Sequence, residues 1–286
     1  MPKAPKTLLD KIIVDKALDR ASRLRQQYIE NGMSQQRLQD LEGELIENLD
    51  PIAKKWKPAM RRGPRGMRSV LNSGNFKNQF VTSMSAGAFD PEKRRKLSNE
   101  YFLDSVDDVD REKYGFLKRP KKYGLDDVNW YGDYEVTFKP AVRKRMTLTN
   151  GDSLNEFAEA RNNWESPSPF IPGLKETYIN WTGQPVRFQS ISKKFRPNEE
   201  RLEKIVQQLK ENPGPFTGTS SPFVPRFDDY VEAQYHGPLT IEDVEGIGIP
   251  NWHLEENPNQ DLFRMRSDQY GFPLYNWDGK CIYNCR

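Results

Sequence analysis

Apolar residues recur at helical spacing through the first fifty positions of the chain. One helical face carries Leu8, Leu9, Ile12, Ile13, Leu24 and Tyr28. Asn31-Gly32 is a typical helix stop, and a second apolar series begins after Ser34 and ends before Pro51. The pattern predicts a helical hairpin over residues 6–50, which packs on the rest of the chain or docks a partner.

Period-two alternation identifies the clearest strand, at residues 134–139. Apolar Tyr134, Val136 and Phe138 alternate there with polar residues, and Pro140 follows. Such alternation is typical of a half-buried strand. Two further runs, 146–149 and 230–237, also favour strand structure.

Further helices are predicted between and around these strands. One ends at Gly74, one begins at Asp90-Pro91, one follows Gly151-Asp152-Ser153, and one covers Leu202 to Leu209. The spacing of Thr240 and Asp243 is that of a capping box. The acidic segment 104–116, the Pro- and aromatic-rich segment 165–197 and the tail after residue 251 are predicted to be loops or irregular structure. The chain is therefore expected to be an α+β protein.

Composition excludes several classes of function. The 286 residues include 44 basic and 41 acidic side chains, a balance that gives no global argument for nucleic-acid binding. Two histidines are too few for a multi-histidine metal site, and no phosphate-binding P-loop or GxGxxG motif occurs. No apolar run is long enough to span a bilayer, and no classical signal peptide is recognisable, so a soluble protein without membrane insertion is expected. Cys281 and Cys285 could form a disulfide or bind a metal, but because no further ligands lie nearby, free thiols are the first expectation.

The basic stretch 53–69 has two interpretations. It carries seven lysines and arginines without an acid and is interrupted by Gly63, Pro64 and Gly66. Such a stretch is usually a solvated connector between domains. Alternatively, its guanidinium groups and glycine-exposed amides could bind a pyrophosphate or a nucleic-acid backbone.

Three groups of residues, in this order, carry a resemblance to a known family. The first is the stretch from Val70 to Ser83, and the second runs from Arg119-Pro120-Lys121-Lys122-Tyr123-Gly124-Leu125 to Gly151-Asp152-Ser153. The third is Glu232-Ala233-Gln234-Tyr235-His236-Gly237-Pro238-Leu239. Together they resemble a group of bacterial proteins and toxin-end domains with a KYGxL…GDS…ExQxHG pattern, which in turn resembles the ADP-ribosyltransferase-like toxins. The similarity covers about residues 65–250.

This resemblance implies a fold and an activity. The fold would be a helical segment, residues 1–60, followed by an ADP-ribosyltransferase-like α+β domain, residues 61–286. That domain would have a split, mostly antiparallel β core and a cleft between two sheets. Members of the family present an Arg or His on an early strand, a Ser, Thr or Tyr on a middle strand and a catalytic Glu on a late strand. The activity would be mono-ADP-ribosylation of a protein or nucleic acid by a toxin or effector, or NAD hydrolysis.

The resemblance also assigns roles to residues. Glu232 would stabilise the oxocarbenium-like state formed when the nicotinamide–ribose bond of NAD breaks, and Gln234 would face the same site. Arg145, and more weakly Arg65, would hold the diphosphate. Tyr123 would be an aromatic platform, and Thr147 or Thr149 would order the neighbouring strand. NAD is the only co-substrate implied, and no metal is needed.

One departure from the family pattern leaves the activity open. The family usually reads E-x-E or Q-x-E, with the catalytic acid last, whereas this chain reads Glu232-Ala233-Gln234. Either Glu232 acts in a variant register, or the activity is altered or absent. The chain could instead be a non-enzymatic protein that binds nucleic acid through 53–69 and the aromatic-rich region 164–195. A third option is an inactive enzyme fold that acts as an adaptor and docks a partner through helices 6–50. A cytoplasmic location, or delivery into a target cell by a non-classical route, is expected.

Overall fold

The computed structural model describes residues 11–83, 91–102, 106–118, 131–150, 199–211, 231–256 and 260–285. Their helices are α1 (Lys11–Glu30), α2 (Gln35–Lys55), α3 (Pro64–Ser73), α4 (Gln79–Thr82), α5 (Pro91–Tyr101), α6 (Glu199–Glu211), α7 (Asn251–Glu256) and α8 (Gln260–Tyr270). Their strands are β1 (Lys57–Arg62), β2 (Lys113–Lys118), β3 (Tyr134–Phe138), β4 (Met146–Asn150), β5 (Val231–Tyr235), β6 (Val244–Ile249), β7 (Leu274–Asn276) and β8 (Cys281–Tyr283). The chain is an α+β protein, as its sequence predicts.

The eight strands form one sheet in the order β4-β5-β2-β1-β3-β6-β7-β8. Neighbouring strands are antiparallel except for the parallel pair β6–β7. The mostly antiparallel sheet confirms the sequence-based prediction. The expected two sheets with a cleft between them are hydrogen-bonded into a single sheet instead.

The N-terminal hairpin is confirmed as α1 and α2. Gly32, with φ at +100°, ends the turn between them, and the Ser34 hydroxyl accepts a hydrogen bond from the Arg37 amide at 3.2 Å. The second helix continues through Pro51 to Lys55, beyond its expected end. It packs against α6, where Arg37 forms ion pairs with Glu199 and Glu203.

One face of the sheet, the core face, packs against helices. It carries alternate strand residues such as Met60, Val136 and Tyr235. They belong to a buried cluster that also takes in side chains of α2, α3, α6 and α8, among them Leu41, Leu45, Val70, Leu71, Leu202, Val206 and Phe263. The hairpin and the sheet therefore share one core, and the boundary expected at residue 60 falls within β1.

The basic stretch 53–69 is not a solvated connector. It forms the end of α2, the central strand β1 and the start of α3. Ala59, Met60 and Arg61 of β1 are all buried. The basic charge of the stretch predicts exposure to solvent. The strand is buried instead because it lies in the middle of the sheet, where Arg61 is paired with Glu135 of β3.

Two other loop predictions are also wrong. The expected acidic loop 104–116 contains the start of β2, and the expected irregular tail contains α7, α8, β7 and β8. Cys281 and Cys285 form a disulfide rather than free thiols, which closes a short loop at the edge strand β8. Short strands and a local cross-link leave little periodicity in the sequence, so the tail looks irregular.

Strand β3 is buried on both faces rather than half-buried. Its polar residues Glu135 and Thr137 have no exposed surface. Their polar groups are hydrogen-bonded inside the protein, since Glu135 binds Arg61 and Thr137 donates to the Gly246 carbonyl oxygen. The helix expected after Ser153 and the segment 165–197 lie outside the described residues.

Candidate functional site

The second face of the sheet, called here the polar face, carries the polar residues of five adjacent strands. The register pairs Gln234 of β5 with Thr147 of β4 and with Tyr114 of β2, and it pairs Arg61 of β1 with Glu135 of β3. Residues paired across antiparallel strands point to the same side, so these five side chains share a face. A continuous row contains Glu232, Phe116, Ala59 and Thr137.

The ladder between β1 and β2 is short, and the two strands diverge beyond it. The two strands pair only over Lys57–Ala59 and Phe116–Lys118. Beyond Ala59, β1 pairs with β3 alone, while residues 113–116 of β2 pair with β5. Tyr114 therefore lies on one side of this divergence, and Arg61 lies on the other.

Atoms on the core face keep β1 and β2 apart beyond the end of their ladder. The Tyr235 hydroxyl donates to the Ala59 carbonyl oxygen at 2.8 Å. Gly115 lies against the same oxygen, and a Cβ at residue 115 would be 2.3 Å from it and 2.7 Å from a Tyr235 ring carbon. Only glycine fits here, so the sequence sets the point at which the two strands separate.

Glu232 begins a chain of buried hydrogen bonds on the polar face. The Gln234 amide donates to Glu232 Oε1 at 2.6 Å, and the Thr147 hydroxyl donates to Gln234 Oε1 at 2.8 Å. Thr147 Oγ1 also lies 3.0 Å from Nε2 of His236. Only 3% of the Glu232 surface is exposed, so this carboxylate is held by side chains rather than by bulk water.

His236 is a neutral imidazole in this setting. Burial, together with the nearby Lys113 ammonium, lowers the pKa of His236 to about 3. The Phe102 ring of α5 packs against it with ring centroids 5.2 Å apart. Lys113 donates to the Gly237 carbonyl oxygen, and burial lowers the pKa of this lysine to about 8.

A buried ion cluster lies on the other side of the divergence. Arg61 donates to Glu135 Oε2 at 2.8 Å, and the Lys118 ammonium binds the other carboxylate oxygen. All three side chains are almost completely buried. One carboxylate thus serves two cations, which gives these three side chains a net charge of +1.

Helix α5 covers part of the polar face next to Tyr114. The Arg94 guanidinium lies 4.6 Å above the Tyr114 ring, and the Tyr114 hydroxyl donates to Glu112 Oε1 at 2.6 Å. Ser98 donates to the other oxygen of Glu112 at 2.8 Å. Burial raises the pKa of Glu112 and raises that of Tyr114 well above its usual value. This network fixes the helix to β2.

The residues predicted from sequence have different positions relative to this face. Glu232, Gln234 and Thr147 are brought together on it, and Thr149 is opposite Glu232 in the β4–β5 ladder. Arg145 precedes β4 and forms an ion pair with Asp243 at 2.7 Å. Arg65 is exposed on α3. Tyr123 lies outside the described residues.

Two residues of the polar face were not predicted as site residues from the sequence. Arg61 lies in the basic stretch 53–69, where nothing in the pattern distinguishes it from its basic neighbours. Tyr114 belongs to a second Lys-Tyr-Gly tripeptide, Lys113-Tyr114-Gly115, nine residues before the one that was chosen. Its continuation into Phe116 and Leu117 is a β-type signal that could have identified the strand.

Two features are absent from the described ranges. They contain no cluster of three or more metal-ligating side chains. None of their helices combines the length and apolar character needed to cross a bilayer. The polar face instead offers carboxylate, amide, hydroxyl and guanidinium groups, which suit a polar organic ligand with anionic groups.

Comparison with known proteins identifies relatives of this chain. The sequence profile of a family described as "Protein of unknown function (DUF3626)" matches residues 57–284. The chain is also similar to the Gene 2 protein of Mycobacterium phage L5, with 23% identity over 212 residues that cover 71% of the chain and 66% of the phage protein. The Gene 2 protein of Mycobacterium phage D29 is 22% identical over 209 residues, with the same coverage. The chain thus spans just under two thirds of the length of these relatives.

Proposed function

The chain belongs to the DUF3626 family, and we propose that it is an NAD-cleaving enzyme of the ADP-ribosyltransferase type. Its site is the polar face of the sheet where β1 and β2 diverge. The products are nicotinamide and ADP-ribose, the latter transferred to a macromolecular acceptor or to water.

The observation that carries this proposal is the alignment of Arg61, Tyr114 and Glu232 on one face. They lie on β1, β2 and β5, on either side of the divergence. An arginine on an early strand, a tyrosine on a middle strand and a glutamate on a late strand are the three marks of the resembled family. The row Ala59–Phe116–Glu232 spans two strand spacings, about 10 Å, a distance that a dinucleotide can bridge.

Each of the three side chains has a role that its chemistry suits. Cleavage of the nicotinamide–ribose bond develops positive charge on the ribose, which a carboxylate at Glu232 stabilises inside a water-poor site. Arg61 carries a planar guanidinium, the group that matches diphosphate oxygens with two parallel hydrogen bonds, and it is paired here with Glu135. The Tyr114 ring provides a flat surface beside the nicotinamide.

Arg61 takes over the diphosphate role first assigned to Arg145. Both arginines are paired with an acid, Arg145 with Asp243 and Arg61 with Glu135. Position therefore decides: Arg145 precedes β4, whereas Arg61 lies within β1. Arg61 is two residues from Ala59, whose row leads through Phe116 to Glu232. Tyr114 likewise replaces Tyr123 as the aromatic group of the proposal.

The unusual Glu-x-Gln order is compatible with catalysis by Glu232. Residues 232 and 234 face the same side of β5, and the Gln234 amide donates directly to the Glu232 carboxylate. The amide thus orients the carboxylate from within its own strand. The glutamine in this proposal is a positioning group and not a second acid.

Nicotinamide release from NAD tests the proposal. Glu232→Gln keeps the size of the side chain and removes its charge, and we expect the rate to fall about 100-fold or more. Glu242→Gln, an exposed glutamate on the turn after β5, is the matched control and keeps the rate. Circular dichroism verifies that both variants fold. Full activity in Glu232→Gln, or no nicotinamide release by the folded wild-type chain, contradicts the proposal.

Nucleic-acid binding by residues 53–69 has weaker support as the alternative function. Lys57, one of the cations of this stretch, forms an ion pair with Glu245 at 2.9 Å. Exposed Arg65 and Arg68 remain on α3 for such a role. The measurement that decides is salt-dependent binding of an oligonucleotide, which this alternative requires and catalysis on the polar face does not.

A further inference from the structure

The hydrogen bonds that lead to Glu232 have a direction. A hydroxyl group has one proton, and Thr147 gives it to Gln234 Oε1, an oxygen that can only accept. The Thr147 oxygen can therefore only accept from His236, whose Nε2 lies 3.0 Å away. His236 Nε2 donates to Thr147, Thr147 donates to Gln234, and Gln234 donates to Glu232.

This direction is the one that an ionised Glu232, the form the proposed function needs, would require. If the Gln234 amide were turned over, its oxygen would face the Glu232 carboxylate and its NH2 group would face the Thr147 hydroxyl. Two acceptors would then meet at 2.6 Å, which is repulsive unless the carboxyl group carries a proton. In the stated direction, every donor along the chain points toward the Glu232 carboxyl group.

We propose that His236 and Thr147 are positioning residues for Glu232, acting through Gln234. The inference rests on the proposed function, since it concerns the group that faces the reacting ribose. Neither residue touches the substrate in this account. They hold the Gln234 amide in the one orientation in which its NH2 group faces the carboxylate.

The surroundings of His236 suit such a role. Its backbone amide donates to the Arg145 carbonyl oxygen at 2.9 Å, which fixes the residue beyond the end of β5. Phe102 packs against the ring, and only 3% of the residue is exposed. Within the described part of the chain Nδ1 has no hydrogen-bond partner, so the bond to Thr147 alone determines which nitrogen carries the proton. The ring is neutral at physiological pH because burial and Lys113 disfavour its cationic form.

The tautomer of His236 tests the direction of the chain without reference to activity. The protein has two histidines, so the ¹⁵N spectrum of the histidine-labelled full chain is simple, and His253→Gln assigns its signals. We expect the Nε2–H tautomer between pH 5 and pH 9. The Nδ1–H tautomer would reverse the chain and overturn the inference.

Two threonine variants and one serine control test the effect on catalysis. Thr147→Val keeps the shape and breaks the chain, and we expect kcat for nicotinamide release to fall about tenfold with KM changed less than twofold. Thr147→Ser restores the hydroxyl and kcat. Ser267→Ala, on α8, a helix that packs on the core face, removes a buried hydroxyl that donates to the Phe272 carbonyl oxygen; it is the control and keeps kcat within twofold.

The outcomes separate the two proposals. Normal kcat in Thr147→Val, together with an inactive Glu232→Gln, overturns the positioning role and leaves the function intact. An equal loss in Thr147→Val and Thr147→Ser also overturns it, because packing rather than the hydrogen bond would then be responsible. A wild-type chain that releases no nicotinamide removes the proposed function, and the tautomer then decides by itself whether the chain has the stated direction.

Discussion

The hydroxyl of Tyr235 donates to the carbonyl oxygen of Ala59 at the point where β1 leaves β2. The side chain comes from β5, on the far side of β2, and crosses beneath Gly115 to reach that oxygen. It takes up a backbone acceptor that the shortened β1–β2 ladder would otherwise leave unpaired in a buried place. The separation of β1 from β2 at this point is therefore stabilised by residues of the protein's own core.

Loss of the Tyr235 hydroxyl should destabilise the protein. Tyr235→Phe leaves a buried carbonyl oxygen without its donor, and we expect the free energy of unfolding to fall by about 1–3 kcal/mol. Tyr283→Phe is the matched control, because the Tyr283 hydroxyl binds Asp268 at an exposed site and its loss should cost at most about 0.5 kcal/mol. Chemical denaturation measures both. Equal effects would contradict the role given to Tyr235.

A methyl group at residue 115 should be more damaging. Gly115→Ala forces a Cβ into the space of the Ala59 carbonyl oxygen and the Tyr235 ring, and we expect a loss of about 2 kcal/mol or more. Gly43→Ala, in the interior of α2 with open space around its Cβ, should instead raise stability by up to about 1 kcal/mol. Thermal or urea unfolding compares the two. A tolerated Gly115→Ala would mean that the two strands separate for another reason.

The ion cluster predicts unequal costs for its members. Glu135→Gln leaves Arg61 and Lys118 buried without the carboxylate that they share, and we expect a loss of about 3–5 kcal/mol. Arg61→Met keeps the Lys118–Glu135 pair and much of the aliphatic volume, so its cost should be smaller. If Arg61 holds the diphosphate, Arg61→Met also weakens NAD binding while the chain stays folded. Denaturation and NAD titration of the same preparations measure both effects.

His236 should make the protein sensitive to acid. Its pKa is about 3 in the folded state, where burial and Lys113 disfavour the imidazolium, against an ordinary value of 6.5. The unfolded chain therefore binds the extra proton first, and the stability present above pH 6.5 is lost as the pH falls toward 3. Between pH 7 and pH 5 this amounts to about 2 kcal/mol.

The comparison with His236→Gln isolates this contribution. Glutamine cannot take up the proton, and its amide can replace Nε2 as a donor to Thr147. The wild-type chain should lose about 2 kcal/mol more than the variant between pH 7 and pH 5. Glu112 has the opposite sign, because burial raises its pKa in the folded state, but it is unchanged in both chains and cancels. Parallel pH profiles would contradict the account.

The sequence predicts one side of the candidate site well. The strand that carries Glu232 and Gln234 and the strand that carries Thr147 are both where the sequence patterns predict them. Local alternation and a following glycine are sufficient for such strands. Tyr235 and the polar pair beside it then fall on opposite faces without further information.

The side of the site formed by β1 and β3 could not be predicted from local sequence patterns. Arg61 is acceptable inside β1 only because Glu135, 74 residues later, neutralises it across the ladder. A buried salt bridge of this kind removes the polar-apolar alternation on which strand prediction depends. The same pairing explains why β3, expected to be half-buried, is inaccessible on both faces.

The central claim is that the divergence between β1 and β2 binds NAD with its diphosphate toward Arg61 and its nicotinamide ribose toward Glu232. A crystal structure of the full chain with a non-cleavable NAD analogue tests it most directly. We predict that the analogue lies on the polar face, with a phosphate oxygen within hydrogen-bond distance of Arg61 and a ribose hydroxyl within that distance of Glu232. An analogue bound elsewhere, or an unoccupied polar face at millimolar analogue, would contradict the account.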